Sequence, residues 1–300
     1  MDERMNGLMG LGTALITPFK ADKSVDYEAL ARLLDTQLTG AVDYIVVLGT
    51  TGEAATMTGE EKRKVRQFIR QHVNGRLPLV LGVGGNNTAA VIADLKAMRT
   101  ELILDFTAIL SVCPYYNKPN QEGLYQHFCA VAEASPIPVI LYNVPGRTGV
   151  NLLPETVMRI YEAQPKKIIG IKEASGNIEQ IKHLINLINA EGTKREAIDL
   201  PLVISGDDGI ACKVMEAGGA GLISVASNAF AEDFYDIVHK KDQVKQAKYD
   251  HMVRLLFKEG NPVGIKAVLA QKGIIENYLR LPLVPASKEL QEEIKKEMAK

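Results

Sequence analysis

The sequence predicts an α/β chain folded as a (β/α)8 barrel with a small C-terminal helical extension. Three observations carry the prediction. Eight short apolar runs recur along the 300 residues, roughly 30 residues apart until the eighth, which follows the seventh by about 20. The segments between them carry helix-start and helix-stop signals, so the chain alternates strand and helix. No Gly-rich dinucleotide turn follows the first run, where Thr17-Pro18-Phe19 stands instead, and this argues against an open doubly wound sheet.

The runs are Thr13 to Ile16, Tyr44 to Leu48, Leu79 to Leu81, Ala108 to Leu110, Val139 to Tyr142, Ile168 to Ile171, Leu202 to Ile204 and Gly221 to Val225. Short unbroken apolar runs read as strands buried on both faces, as parallel sheets require. Between them, Asp26 caps a helix carrying Leu30, Leu33, Leu34 and Leu38, stopped by Gly40. Thr58 and Glu61 make a capping box before Val65, Phe68, Ile69 and Val73, with Gly75 as the stop. Pro154 fits a first helical turn, and Asn177 caps a stripe of Ile178, Ile181, Leu184, Ile185 and Ile188. Beyond about Phe230 the strands stop. Helical patterns follow near Ala231 to Lys240, Val244 to Phe257, Pro262 to Gln271 and Lys288 to Ala299. The expected organisation is therefore a barrel over residues 1–230, with the last barrel helix and the extension over 231–300.

Composition narrows the function classes. Hydrophobic residues make up 46% and charged residues 24%, which is ordinary for a globular protein. The net charge of −1 gives no sign of a nucleic-acid or membrane surface. No apolar run approaches a membrane span, and no apolar h-region follows Met1-Asp2-Glu3-Arg4-Met5. Cys113, Cys129 and Cys212 show neither metal-ligand spacing nor a disulfide framework, which suits a reducing, cytoplasmic setting.

In a barrel the chemistry sits at the C-terminal ends of the strands. The sixth run ends in Lys172. An amine where a buried strand opens to solvent is a candidate nucleophile toward carbonyls, and the same run also fits a lysine that snorkels into water. The second run ends in Gly49-Thr50-Thr51-Gly52-Glu53, where amides and hydroxyls converge as on an anion, or form an ordinary turn. The fourth ends in Pro114-Tyr115-Tyr116-Asn117-Lys118-Pro119, a stiff loop carrying two tyrosines. The fifth ends in Tyr142, a proton-carrier candidate, and continues to Arg147, suited to a carboxylate. The seventh ends in Ser205-Gly206-Asp207-Asp208, where capping explains the acidic pair better than a metal does. The eighth contains Ile223-Ser224. The histidines at 72, 127, 183, 239 and 251 fall in predicted helices, on their surfaces or in packing. Gly82-Val83-Gly84-Gly85-Asn86 lacks the spacing of a nucleotide loop. An amine, hydroxyls and an arginine, with no metal cluster, suit a Schiff-base enzyme acting on an oxo acid.

These segments closely resemble the dihydrodipicolinate synthase family. The resemblance rests on Gly49 to Glu53, Pro114 to Pro119, Tyr142 to Pro145 with Arg147-Thr148-Gly149, Gly170-Ile171-Lys172-Glu173-Ala174, Ser205 to Asp208 and Leu279-Arg280-Leu281-Pro282-Leu283. It runs in order from about Gly12 to Pro285. It implies condensation of pyruvate with L-aspartate 4-semialdehyde, an early step of the diaminopimelate route to lysine, by a cofactor-free homotetramer built as two tight dimers. It implies that Lys172 forms the imine and that Tyr142, Thr50 and Tyr116 relay protons, Tyr116 reaching in from the neighbouring subunit. Thr51 would contact the pyruvate-derived group, Arg147 the semialdehyde carboxylate, and Gly206 and Ile223 would line the site through their carbonyls. The nearest rival is an N-acetylneuraminate lyase or sugar-acid aldolase on the same scaffold. Arg147 argues against it, because a long polyol needs hydroxyl partners, and so does Thr51, where neuraminate lyases usually carry serine. A catalytically silent barrel would need to have lost the amine or its relay.

Many members of this family are inhibited by lysine at the tight-dimer interface. Tyr115 and Asn86 match the effector positions. Ala54, Gly59, Lys62 and Ala90 depart from them, Ala90 standing where a glutamate usually receives the effector's ammonium groups. The resemblance therefore implies weak lysine sensitivity or none. It leaves open what Gly264 does, where many members have a second proline.

Overall fold

The computed structural model describes residues 5, 7–98, 103–192 and 200–300. Its strands are β1 (Gly10–Ala14), β2 (Tyr44–Val47), β3 (Leu79–Gly82), β4 (Ala108–Val112), β5 (Val139–Asn143), β6 (Ile168–Glu173), β7 (Leu202–Ser205) and β8 (Gly221–Ser224). They close into a barrel in the order β1-β2-β3-β4-β5-β6-β7-β8. The helices of the described residues are α1 (Tyr27–Thr39), α2 (Gly59–Val73), α3 (Thr88–Ala97), α4 (Gln121–Ala134), α5 (Pro145–Thr148), α6 (Pro154–Ala163), α7 (Ile178–Gly192), α8 (Ala211–Glu216), α9 (Ser227–His239), α10 (Gln243–Phe257), α11 (Val263–Gln271) and α12 (Lys288–Met298). None of them is long and apolar enough to cross a membrane. The chain divides into two compact units, one of residues 10–77 with 224–300 and the other of residues 78–223 with those before 10.

The unit of residues 78–223 holds β3 to β8, each paired parallel with the next. Their positions are almost wholly buried, as the apolar runs require. Gly170 permits a close approach of β7. A Cβ there would lie 2.8 Å from the Leu202 carbonyl oxygen. Pro154 opens α6 as expected, and the Asn177 side chain accepts from the amides of Glu179 and Gln180 at the start of α7. The Asp207 carboxylate accepts from Gly209 N at 2.8 Å, so the acidic pair does open a helical turn.

The other unit holds β1, β2 and the four C-terminal helices. β1 begins at Gly10 and ends at Ala14, rather than running from Thr13 to Ile16. Its register pairs Gly12 with Tyr44. A Cβ on Gly12 would lie 2.2 Å from the Tyr44 ring, so a residue without β-propensity belongs in the strand because the tyrosine occupies its side-chain space. Beyond Ala14, Asn228 takes over. Its amide donates to the Ala14 carbonyl at 2.8 Å and accepts from Ile16 N at 3.1 Å. Asp26 caps α1, and the Thr58–Glu61 capping box opens α2. The stop of α2 falls one residue before the expected Gly75, at Asn74, which takes the left-handed conformation at φ 46°. In the C-terminal helices Gly264 lies against α10. A Cβ on it would meet the Leu256 backbone at 2.5 Å, so neither proline nor alanine fits there without moving a helix.

Candidate active site

The ends of β5 and β6 position the candidate nucleophile, Lys172. Their register places Tyr142 opposite Lys172 and Asn143 opposite Glu173. Side chains alternate along a strand, so Tyr142 and Lys172 share one face and Asn143 and Glu173 the other. Lys172 Nζ stands 4.4 Å from the centre of the Tyr142 ring. Both residues are only 6% exposed, and among the described residues the amine makes no ion pair. Gly206, just past β7, leaves room for the lysine. A Cβ there would lie 2.9 Å from Lys172 Cε, 3.1 Å from its Cγ and 2.7 Å from the Ala174 Cβ. The absent side chain at 206 is therefore part of the lysine's path. Ile223 is buried in β8 in the same unit.

Behind the two strands lies a polar network that sequence reasoning missed. The Glu173 carboxylate is buried and accepts from Asn143 Nδ2 at 3.0 Å, Ser175 N at 2.7 Å and Gln180 Nε2 at 3.2 Å. Asn143 Oδ1 accepts from Leu152 N at 2.9 Å, and Asn151 donates to Gln180 at 2.7 Å. Every polar atom so placed finds a partner, which makes the network rigid rather than costly. It holds the two residues next in sequence to Tyr142 and Lys172. The one sequence signal was that adjacency, Asn143 after the tyrosine and Glu173 after the lysine. Cys113 is buried nearby, and burial pushes its thiol pKa well above the ordinary value, with the charge of Glu173 adding to the rise.

The loops after β4 and β5 are tied to each other. Tyr116 N donates to the Thr148 carbonyl at 3.3 Å, and Asn117 reaches the Asn86 carbonyl at 2.9 Å. Tyr116 has φ 73° and is 89% exposed, an unfavourable backbone for a bulky residue and an unfavourable setting for an aromatic ring. Arg147 lies on the one-turn helix α5, exposed, with Gly149 closing the turn at φ 74°.

Thr50 and Thr51 belong to the other unit, in a 3-10 turn over Thr50–Gly52. The residues that flank it, Leu48 and Glu53, both sit at positive φ (55° and 53°), which non-glycine residues adopt only when their surroundings compel it. Those surroundings are specific. Thr17 Oγ1 donates to the Gly52 carbonyl at 2.8 Å, and Asn261 Nδ2 donates to Thr51 Oγ1 at 2.9 Å. Glu53 is buried in an ion pair with the fully buried Lys266 and also accepts from Arg280 N at 3.1 Å. Lys266 donates further to the Tyr278 carbonyl at 3.0 Å and lies 4.2 Å over the Phe19 ring. Burial pushes the Lys266 pKa down to about 8 against the opposing pull of Glu53. Thr51 is buried and Thr50 exposed. Sequence reasoning did not find Asn261 or Lys266, because the turn residues they hold, Thr51 and Glu53, lie more than two hundred residues away.

Two lysines are thus withdrawn from water. Lys266 is committed to a carboxylate and a carbonyl, and no face of its amine is left for a ligand. Lys172 faces an aromatic ring at a strand end, which leaves it the chemically available amine.

Residues 7–300 match the Dihydrodipicolinate synthetase family. The 4-hydroxy-tetrahydrodipicolinate synthase of Flavobacterium psychrophilum is 48% identical over 293 residues, covering 95% of this chain and 96% of that protein. Among solved structures, a monomeric dihydrodipicolinate synthase variant superposes with a TM-score of 0.91 at 38% identity, over 99% of this chain and 98% of that one. The chloride-inhibited dihydrodipicolinate synthase of Acinetobacter baumannii in complex with pyruvate superposes with a TM-score of 0.89 at 37% identity, over 97% and 98%.

Proposed function

The chain belongs to the dihydrodipicolinate synthetase family and is a lyase of lysine biosynthesis, and we propose that it joins pyruvate to L-aspartate 4-semialdehyde through an imine on Lys172. The observation that supports this most is the Lys172 amine held over the Tyr142 ring beside a glycine that clears its path. The amine attacks the pyruvate ketone, and water leaves as the imine forms. Loss of a methyl proton gives the enamine, whose carbon attacks the aldehyde of the second substrate. The substrate's own amino group then displaces Lys172 as the ring closes to 4-hydroxy-tetrahydrodipicolinate. Each proton removed from nitrogen or carbon, and each one delivered to a departing oxygen, needs a carrier. Tyr142, Thr50 and Tyr116 take that role, and the Tyr142 position next to the amine supports its share. Thr51 contacts the pyruvate-derived group, Arg147 pairs with the semialdehyde carboxylate, and Gly206 and Ile223 present carbonyls.

The assembly belongs to the same proposal. An 89%-exposed tyrosine on a strained loop fits a residue that is covered by, and serves, a neighbouring subunit. A homotetramer of two tight dimers would use it so. A cytoplasmic setting accompanies this reading and is in keeping with three free cysteines.

The test is borohydride reduction in the presence of pyruvate. One reduced adduct per chain is expected, on the peptide carrying Lys172. An adduct on another lysine, or none from an active chain, overturns the assignment. Turnover with pyruvate and aspartate semialdehyde, set against cleavage of N-acetylneuraminate, separates the synthase from its nearest rival.

A further inference from the structure

We propose that Glu173 is a positioning residue, whose carboxylate pins the ends of β5 and β6 to each other and to the chain behind them and so fixes the Lys172 amine against the Tyr142 ring. The inference rests on the reading given under Proposed function and assigns a role in it to a residue which that reading does not use.

The argument starts from where the strands stop. β5 ends at Asn143 and β6 at Glu173, so Tyr142 and Lys172 are the next-to-last residues of their strands. Backbone pairing is weakest at such ends, where fraying costs least. Here the two terminal side chains, both buried and both on the face away from the lysine, add what the ladder lacks. Asn143 Nδ2 donates to the two Glu173 carboxylate oxygens at 3.0 and 3.2 Å. The main chain of the same residues extends the hold, for the Asn143 carbonyl accepts from Ala174 N at 2.8 Å and the Glu173 carbonyl from Gly206 N at 2.7 Å. A shift of Glu173 therefore carries with it both the lysine before it and the glycine beside that lysine.

The polarity of this anchor is fixed. Glu173 Oε1 accepts from Ser175 N at 2.7 Å and from Asn143, and Oε2 accepts from Asn143 and from Gln180 Nε2 at 3.2 Å. Asn143 cannot turn its amide round, because its Oδ1 accepts from Leu152 N at 2.9 Å and a backbone N–H only donates. Its Nδ2 also donates to Asn151 Oδ1 at 2.8 Å. Residue 173 thus meets donors at both of its oxygens, and of the side chains of this shape only an ionised carboxylate accepts at both. Charge-assisted bonds from three residues hold that end of β6 in one place, where apolar packing would tolerate several.

The test inverts the polarity. Glu173→Gln keeps the shape, but whichever way its amide lies, an NH2 group faces Asn143 Nδ2. Atoms with no bond between them sit about 3.5–4 Å apart, so a contact of 3.0 Å must open by between about half an ångström and one ångström. The rate of pyruvate trapping by borohydride, per folded chain and at saturating pyruvate, is expected to fall roughly 10- to 100-fold. The pyruvate concentration giving half that rate should stay near wild type, because no group that meets pyruvate has changed. Adding Asn143→Asp to Glu173→Gln restores the match. The new carboxylate still accepts from Leu152 N and now receives the new amide, while the Asn151 and Gln180 amides, paired with each other through both atoms, turn over together. Trapping should return close to the wild-type rate. A purely structural role would lower the melting temperature and leave trapping per folded chain unchanged, as expected of Gly170→Ala. Wild-type trapping by folded Glu173→Gln, or a double variant as slow as the single one, overturns the inference. Should Glu173→Gln not fold, Gln180→Leu decides, because it takes one donor from the carboxylate and must slow trapping too, and wild-type trapping there overturns the inference. A wild-type chain that forms no pyruvate adduct on Lys172 overturns the functional reading, whereas an adduct formed at one rate in wild type and variants overturns only the role of Glu173.

Discussion

Gly206→Ala adds a single methyl group at the point where stability and chemistry meet. The new Cβ would lie 2.7 Å from the Ala174 Cβ and 2.9 Å from Lys172 Cε. The Ala174 atom is fixed to its backbone, so relief there requires β6 and the turn after β7 to separate. Overpacking of this kind costs about 1–3 kcal/mol. At about 2 °C per kcal/mol for a chain of this length, the melting temperature should fall by about 2–6 °C. The lysine is flexible and will give way more cheaply, but it is the proposed nucleophile that then moves. A displacement near 1 Å costs about a hundredfold in rate, close to 2.7 kcal/mol of barrier. The expected result is a modest thermal loss with a large loss in the rate of pyruvate trapping by borohydride.

Gly170→Ala supplies the control. Its Cβ would strike the Leu202 carbonyl oxygen at 2.8 Å and the Leu202 Cβ at 3.1 Å, on the same strand but away from the lysine. It should lose stability with little change in trapping beyond what that loss explains. A Gly206→Ala chain that traps pyruvate at the wild-type rate would refute the claim that this glycine clears the lysine's path. So would equal slowing in the two variants.

Lys266→Met strands the buried Glu53 carboxylate and should destabilise by about 3–5 kcal/mol, a fall of about 6–10 °C. Glu53→Gln combined with Lys266→Met should recover much of it in thermal melts, and a single variant as stable as wild type would show the pair to be dispensable. Burial pushes the His127 pKa from 6.5 down to about 4, so its share of stability is full above pH 6.5 and is lost as pH falls through 4. That share is about 3 kcal/mol, and urea melts at stepped pH should show a flatter acid limb in His127→Gln, with superimposable limbs as the contrary result. Mixing inactive Tyr116→Phe chains with inactive Tyr142→Phe chains should restore some activity if Tyr116 serves the neighbouring subunit, and exchanged dimers that stay inactive would point to relays within single chains. L-lysine should inhibit weakly or not at all, because the Ala90 methyl offers nothing to an ammonium group. Half-inhibition below about a millimolar, a binding free energy near 4 kcal/mol, at subsaturating pyruvate would contradict this.

The eight strands were legible because a strand buried on both faces must be apolar, and that property is local. The ends of the strands were less so. The sixth apolar run was read to Ile171 with Lys172 at its end, yet β6 runs on to Glu173, because a charged residue stops an apolar run without stopping a ladder of hydrogen bonds. The residue left off, Glu173, anchors the polar network behind that end of the strand. β1 was displaced for the opposite reason, since its two glycines carry no strand signal until the Asp43 and His239 side chains at Gly10 and the Tyr44 ring at Gly12 show what fills their place. Gly264 was legible as a departure from a pattern but not as a contact, for its cause is the Leu256 backbone on another helix.

The two buried lysines show where reading by residue type stops. Lys172 announced itself by ending an apolar run, whereas Lys266 sits one helical turn into α11 with nothing in its neighbours to set it apart. Withdrawal from water singles out both, and burial alone, which takes the Lys266 pKa down to about 8, would favour Lys266 as the nucleophile. Coordination reverses that choice. An ammonium has three N–H donors, and those of Lys266 meet a carboxylate and a carbonyl above an aromatic ring, which fixes the amine as a strut under the two-threonine turn. Lys172 has the ring without the carboxylate, and beside it a glycine rather than a side chain. An amine becomes a nucleophile where a structure removes its partners and leaves a path to it. Burial that supplies partners makes a structural lysine instead, and the difference lies wholly in contacts that run across the fold.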